Sequence, residues 1–198
     1  EFAVKIVDAY EDYWTPTHYI YWGNDNYDPI VKLTLSAIDL TKMEDLSVWI
    51  DDFAIRLYNS LSDPVQNATI RHAREVAQEY MTADERNHWY YIDLYNFTQL
   101  IYDDPNASTI LKERAFNLMA AINSTIIHEW HDIGAYAYRT HGHDVIEIWC
   151  EGCPGSHGTS IYFPDDPNDY FSDTYEALDF STDHFCWHEF LIAYLNIP

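Results

Sequence analysis

The sequence predicts an α/β fold that is mostly helical with a few strands. Long stretches repeat apolar residues at the spacing of one buried helical face, whereas only short stretches are rich in β-forming residues. The clearest short stretch is Ile161 to Phe163, which is bounded by Gly158 and Pro164. An earlier one, Lys32 to Leu40, alternates apolar and small polar residues. We therefore expect helices packed on a small number of strands.

The size and charge of the chain limit what it can be. Its 198 residues can bury a sizeable core, so we expect residues 1–198 to form one domain or a large part of one. The net charge of −23 argues against a nucleic-acid partner, because phosphate binding needs clustered Lys and Arg. No apolar run approaches the roughly 20 residues of a membrane span. The acidic residues most simply form a solvated surface, and calcium binding is the alternative.

The N-terminal residues from Phe2 to Trp14 follow helical spacing, but no capping residue precedes them. We expect the chain to begin inside a helix and to be a fragment of a longer protein. Turn residues between Thr15 and Asp28 then predict a loop.

Four further helices begin at residues that can cap a helix N-terminus. A Ser, Thr or Asp side chain there accepts hydrogen bonds from backbone donors that have no partner within the helix. At Thr41 the capping box also includes Glu44. The predicted caps and the apolar faces that follow them are Thr41 with Leu46 to Leu61, Asp63 with Ile70 to Met81, Asp93 with Leu94 to Ile101, and Ser108 with Leu111 to Ile126.

After His131, glycines and prolines separate short extended segments. Val145 to Trp149 and Thr159 to Phe163 could pair as a hairpin across the turn that contains Cys150 and Cys153. A closing helix, capped near Ser181 to Asp183, is predicted to bury Phe190 and Leu191.

Four Asn-x-Ser/Thr sequences are candidate glycosylation sites, at Asn67, Asn96, Asn106 and Asn123. Such sequences matter only in an exported protein, so they favour an extracellular or cell-surface location. Asn123 lies in a predicted helix, and its sequence could be accidental.

Histidines and cysteines suggest a metal site. His128 and His131 are three residues apart in what we predict to be a helix, so they would share a face. With His141 or His143, or with Cys150 and Cys153, they could bind zinc or another transition metal. Cys150 and Cys153 could instead form a local disulfide, and the histidines could simply be surface or hydrogen-bonded residues.

Several segments, in this order, resemble the C-terminal part of the clostripain-like cysteine peptidases, relatives of the caspases, gingipains and legumains. The resemblance spans nearly the whole chain. The similar segments are Glu1 to Tyr10, Leu35 to Leu40 with the following helix, Ile92 to Tyr95 with Phe97, Gly158 to Pro164, and Tyr175 to Leu191.

The resemblance implies a caspase-like α/β sandwich whose catalytic dyad is a His and a Cys at the ends of neighbouring strands. It also implies that both residues, and the acidic residues that select a basic side chain before the cleaved bond, lie upstream of this chain. We therefore expect no catalytic residue in this chain and are certain of no cofactor, with calcium or a transition metal as the possible ones.

A dyad within the chain is the alternative, with His141 and Cys150 as its members. The eight residues between them cannot form the crossover that parallel strands need, so we reject this pairing. The favoured function is the C-terminal portion of a secreted clostripain-like cysteine endopeptidase, which completes and covers the catalytic core. The alternative function is a non-catalytic cell-surface or self-assembling subunit. The expected partner is the N-terminal catalytic part of the same precursor or, for the alternative, further copies of this chain.

Overall fold

The computed structural model describes residues 1–14, 34–80, 90–131, 135–141, 144–150, 153–170 and 175–197, and for residues 13, 14, 135–141, 144–150 and 179 only the backbone. Its helices are α1 (Phe2–Trp14), α2 (Met43–Ser60), α3 (Pro64–Val76), α4 (Leu94–Asp103), α5 (Thr109–Thr125), α6 (Asp179–Asp183) and α7 (Cys186–Leu195). Its strands are β1 (Thr34–Ile38), β2 (Glu79–Tyr80), β3 (Tyr91–Asp93), β4 (Ile126–His131), β5 (Ala135–His141), β6 (Asp144–Cys150) and β7 (Ser160–Tyr162). The predicted α/β class, mostly helical with a few strands, is confirmed.

The core lies where α2 packs against α5 and α7, and where α4 packs against α5. Phe163, just after β7, is fully buried at its centre. Its ring makes edge-to-face contacts with four aromatic rings, which are those of Phe97, Trp187, Phe190 and Tyr194. Aromatic residues at these positions therefore fasten the C-terminal helix to the strand that precedes it.

The described strands form three small antiparallel sheets. β1 pairs with β4, β3 lies between β2 and β7, and β5 pairs with β6. Both predicted strand regions are confirmed where they are described, as β1 and β7. Helix α1 packs on β4 and β1, with Val7 buried and Tyr10 in edge-to-face contact with Trp130 at 5.6 Å.

The predicted hairpin between Val145–Trp149 and Thr159–Phe163 is wrong. Within the described strands, β6 pairs with β5, and β7 pairs with β3 in the register Tyr91 to Tyr162. A turn of suitable length does not decide pairing when a distant strand buries more apolar surface, and β7 lies on β3 in the core.

Three of the four predicted caps are confirmed. The carboxylates of Asp63 and Asp93 and the hydroxyl of Ser108 accept hydrogen bonds from the first turns of α3, α4 and α5. Thr41 does not cap α2. Its hydroxyl and backbone N–H both donate to Asp39, whose side chain caps a 3-10 turn at Leu40–Lys42 before the helix.

Two predicted helical faces extend too far. α3 ends at Val76, and Tyr80 belongs to β2, while Met81 lies outside the described residues. α5 ends at Thr125, and Ile126 opens β4. The predicted loop at 15–28 also lies outside the described residues. Among the helices that the structure describes, none is long and apolar enough to cross a membrane.

Candidate functional site

A buried carboxylate, Asp93, organises the densest polar cluster of the described residues. It has no solvent exposure and lies between β3 and α4. One oxygen, Oδ1, accepts the backbone N–H of Asn96 at 2.8 Å. The other, Oδ2, accepts the Tyr80 hydroxyl at 2.8 Å and the backbone N–H of His157 at 2.7 Å. Such charge-assisted bonds offset the cost of burying a carboxylate.

The cluster continues through hydroxyl groups toward β1. The Tyr80 hydroxyl lies 2.6 Å from Ser156 Oγ, which lies 3.2 Å from Thr34 Oγ1. Burial and the nearby Asp93 charge raise the pKa of Tyr80 well above its usual value. Tyr80 therefore stays protonated and acts as a donor to Asp93.

His157 lies at the edge of this cluster with about a third of its side chain exposed. Its Nδ1 atom is 3.7 Å from Asp93 Oδ1 and 2.9 Å from the Gly155 carbonyl oxygen, and its ring stacks on Tyr95 at 4.2 Å. The interaction with Asp93 raises the pKa of His157, and burial partly opposes this. Histidine in this setting favours the imidazolium form more than it does in water.

Gly158 lets the backbone next to His157 cross β1 and β4. Its φ angle is +86°, and an added Cβ would lie 3.0 Å from the Cβ of Ser36 and 3.2 Å from that of Glu129. Ser36 Oγ donates a hydrogen bond to the carbonyl oxygen of Gly158 at 2.7 Å. A side chain at this position would be strained in its backbone and crowded by two strands.

The two cysteines whose side chains are described are poor nucleophiles. Cys153 has no solvent exposure, so no substrate can reach its sulfur in this conformation. Cys186 is near Asp51, which accepts its backbone N–H at 3.2 Å. Burial, together with the charge of Asp51, raises the pKa of the Cys186 thiol to about 11. Catalytic cysteines need the opposite shift, toward the thiolate.

His184 is two residues from Cys186 in sequence, but its imidazole contacts carboxylates. Its Nδ1 atom lies 2.9 Å from Asp51 Oδ2, and its Nε2 atom is 3.8 Å from Glu44. The imidazole and the thiol therefore share one carboxylate. A base that activates a thiol would instead hydrogen-bond to the sulfur.

The register of the β5–β6 hairpin separates His141 from Cys150. His141 pairs with Asp144 beside the turn, and Cys150 pairs with Ala135 at the other end. Six residues of an antiparallel strand span roughly 20 Å. A nucleophile and its base must approach to hydrogen-bonding distance.

The prediction that His128 and His131 lie in a helix is wrong. Both lie in β4, where residues three apart point to opposite faces. His128 Nε2 is 2.9 Å from Asp8 of α1, and His131 Nδ1 is 2.9 Å from Glu129. The described side chains include no group of three or more His, Cys, Asp or Glu placed to hold a metal ion. The side chain of Cys150 is outside the described part, so the metal site with Cys150 and Cys153 stays a prediction.

The candidate glycosylation sites differ in their surroundings. Asn106, in the turn before α5, and Asn123, on α5, are exposed. The Asn67 amide nitrogen donates to the Leu61 carbonyl oxygen at 3.0 Å. Asn96 accepts the Gln78 backbone N–H at 2.8 Å, and its Nδ2 atom lies 3.2 Å from where a Cβ on Gly155 would be. Glycosylation itself stays a prediction at all four.

The sequence indicates Asp93 as a helix cap but not its contacts with Tyr80 and His157. Its other partners, Tyr80 and His157, are distant in sequence, and no periodicity links them. The one available signal was the proximity of His157 and Gly158 to the strand at Ile161, since such a pair commonly marks a tight backbone approach.

Comparison with known proteins gives one match. The family model described as the clostripain family matches residues 1–194. Comparisons with curated proteins and with solved structures give no match.

Proposed function

The chain belongs to the clostripain family, and on this basis we propose that it is the C-terminal portion of a secreted cysteine endopeptidase of that family. In this proposal it completes and covers the catalytic core, while the catalytic His and Cys lie in an upstream part. Membership of this family supports a peptidase-related protein. The proposed covering role rests on where the cysteines and histidines of this chain lie.

The observation that carries the proposal is the separation of His141 and Cys150. They sit at opposite ends of one antiparallel hairpin, roughly 20 Å apart. A peptidase dyad needs its imidazole and thiol in hydrogen-bonding reach. Cys153 and Cys186 offer no alternative, because the first is inaccessible and the thiol pKa of the second is about 11.

The exposed side of α1 is consistent with a chain that covers the catalytic core. Phe2 is 79% exposed and Ile6 is 48% exposed on this helix, which packs on β1 and β4 through its other side. Exposed apolar residues on a packed helix are typical of a surface that another polypeptide covers. In the proposal, that polypeptide is the catalytic part of the precursor.

Secretion is proposed from the four glycosylation sequences, two of which have exposed asparagines. Asn106 and Asn123 offer amides on the surface of the folded chain. An extracellular or cell-surface location is the setting in which such sequences are used.

A peptide-cleavage assay tests the proposal. We expect the purified 198-residue chain to leave fluorogenic peptides with Arg or Lys before the cleaved bond intact. Cys150→Ala and Cys186→Ala serve as matched controls. Iodoacetamide-sensitive hydrolysis that disappears in either variant would overturn the proposal.

The partner is tested by light scattering after size-exclusion chromatography of material from the native source. We expect this chain to elute with a second, different polypeptide, which mass spectrometry of the peak identifies. A stable monomer of about 23.3 kDa contradicts the covering role. A complex made of this chain alone contradicts it too, and supports the self-assembling alternative.

A further inference from the structure

A cavity of about 550 Å³ lies between β1, the start of α2, β7 and residues 175–180. Its volume is in the range of small-molecule sites. Leu46, Ile50 and Leu94 form a buried floor. Met43 and Leu178, which are 38% and 49% exposed, lie at the rim. The cavity therefore has apolar side chains both at its floor and at its opening.

Among the described residues that line this cavity, none has a charged side chain. A buried ionised ligand would need an opposite charge or several donors to offset the loss of hydration. The chain as a whole also has a net charge of −23, which repels anions. These two properties favour an uncharged ligand.

Thr159 and Tyr175 line the cavity, and their buried hydroxyl groups have no hydrogen-bond partner among the described residues. Tyr175 is only 5% exposed, and burial raises the pKa of its hydroxyl, which keeps its proton for donation. Buried polar groups in folded proteins are nearly always hydrogen-bonded, so each exception calls for an explanation. A ligand oxygen that accepts from either hydroxyl would satisfy it.

We propose that this cavity binds a neutral, elongated apolar molecule that carries one hydrogen-bond-accepting oxygen. The apolar chain lies against Leu46, Ile50 and Leu94, and the oxygen accepts from Tyr175 or Thr159. This activity is separate from peptide cleavage and does not depend on the proposed peptidase role.

Methionine methyl NMR tests the proposal with a built-in control, because Met43 and Met119 are both in the part of the chain that the structure describes and, of the two, Met43 lines the cavity. The probe is 2-decanone, a neutral ketone of medium chain length. We expect saturable changes in the Met43 methyl signal, while the signal of Met119, buried on α5, stays constant. An unchanged Met43 signal up to the solubility of the probe overturns the proposal, and so does an equal response at Met119.

Substitutions then test the cavity and its hydroxyls. Ser47→Leu places a larger side chain into the cavity, and we expect it to abolish binding. Tyr175→Phe and Thr159→Val each remove one hydroxyl with little change in shape. We expect at least one of them to weaken 2-decanone binding roughly tenfold, the value of one hydrogen bond. Tyr58→Phe, on the exposed side of α2, is the matched control and should bind normally.

A charged analogue completes the test. Decanoate has the same chain length, and we expect it to bind at least tenfold more weakly than 2-decanone, since no described residue of the cavity lining carries a positive charge. Equal binding of decanoate contradicts the inference, as does full affinity in Ser47→Leu or in both hydroxyl variants.

Discussion

The carboxylate of Asp93 accepts the backbone N–H of His157 at 2.7 Å, although 64 residues separate them in sequence. The same side chain caps α4 through the backbone N–H of Asn96. One buried charge thus fixes both the start of a helix and the position of the segment that crosses β1 and β4. Its removal should loosen both at once.

Asp93→Ala should lower the free energy of unfolding by about 3 kcal/mol or more, because it removes the buried carboxylate that accepts from the Tyr80 hydroxyl and from two backbone donors. Asp63→Ala is the matched control, since Asp63 is an exposed cap with a comparable bond to α3. Its loss should cost only about 1 kcal/mol. Urea unfolding of both variants measures the difference. Equal losses would show that Asp93 acts as a cap alone.

The contribution of His157 to stability should decrease as pH rises. Its folded-state pKa is raised by Asp93, so its favourable interaction is fully present below the unfolded pKa, about 6.5. It is lost as pH rises through the higher folded value. Urea unfolding of the wild type and of His157→Gln from pH 5.5 to 8.5 measures it. We expect the gap in unfolding free energy to narrow with rising pH, and a gap that widens would refute this sign.

Arg74 is 1% exposed and donates to the Phe163 carbonyl oxygen and to Glu79, both at 2.7 Å. Arg74→Ala should cost about 3 to 5 kcal/mol, because it leaves buried acceptors unpaired beside a core ring. Arg71→Ala, on the exposed side of the same helix, removes hydrogen bonds to the Asn67 side chain and the Tyr194 carbonyl oxygen and should cost about 1 kcal/mol. Thermal and urea unfolding compare the two. Comparable costs would mean that burial of Arg74 adds little.

Glycan occupancy should follow exposure when the chain passes through a eukaryotic secretory pathway. We expect glycans on Asn106 and not on Asn96, whose amide is held against Gln78 and lies close to Gly155. Glycopeptide mass spectrometry measures the occupancy, with Thr98→Val and Ser108→Ala as sequence controls. Full glycan occupancy at Asn96 in a folded product would contradict the expectation that occupancy follows exposure.

Features encoded within a few residues were predictable from the sequence, and features set by distant contacts were not. Asp63, Asp93 and Ser108 cap helices because a short side chain reaches the next turn, which is a local property. The apolar spacing in α5 predicted that the helix continues through His128. The residues after Thr125 instead pair with β1 and form β4. The partner of β7 was missed for the same reason, since β3 lies far upstream. The Asp93 cluster and the cavity both join segments whose proximity no local pattern encodes.

Covalent labelling tests most directly the proposal that none of the cysteines of this chain is catalytic. The reduced chain is incubated with a peptidyl acyloxymethyl ketone that carries arginine next to the reactive group, and its intact mass is determined. We predict no adduct on the folded chain, while iodoacetamide after denaturation modifies all three cysteines. A single stoichiometric adduct on Cys150 that disappears in His141→Ala would show that this chain carries a working dyad and would contradict the proposal.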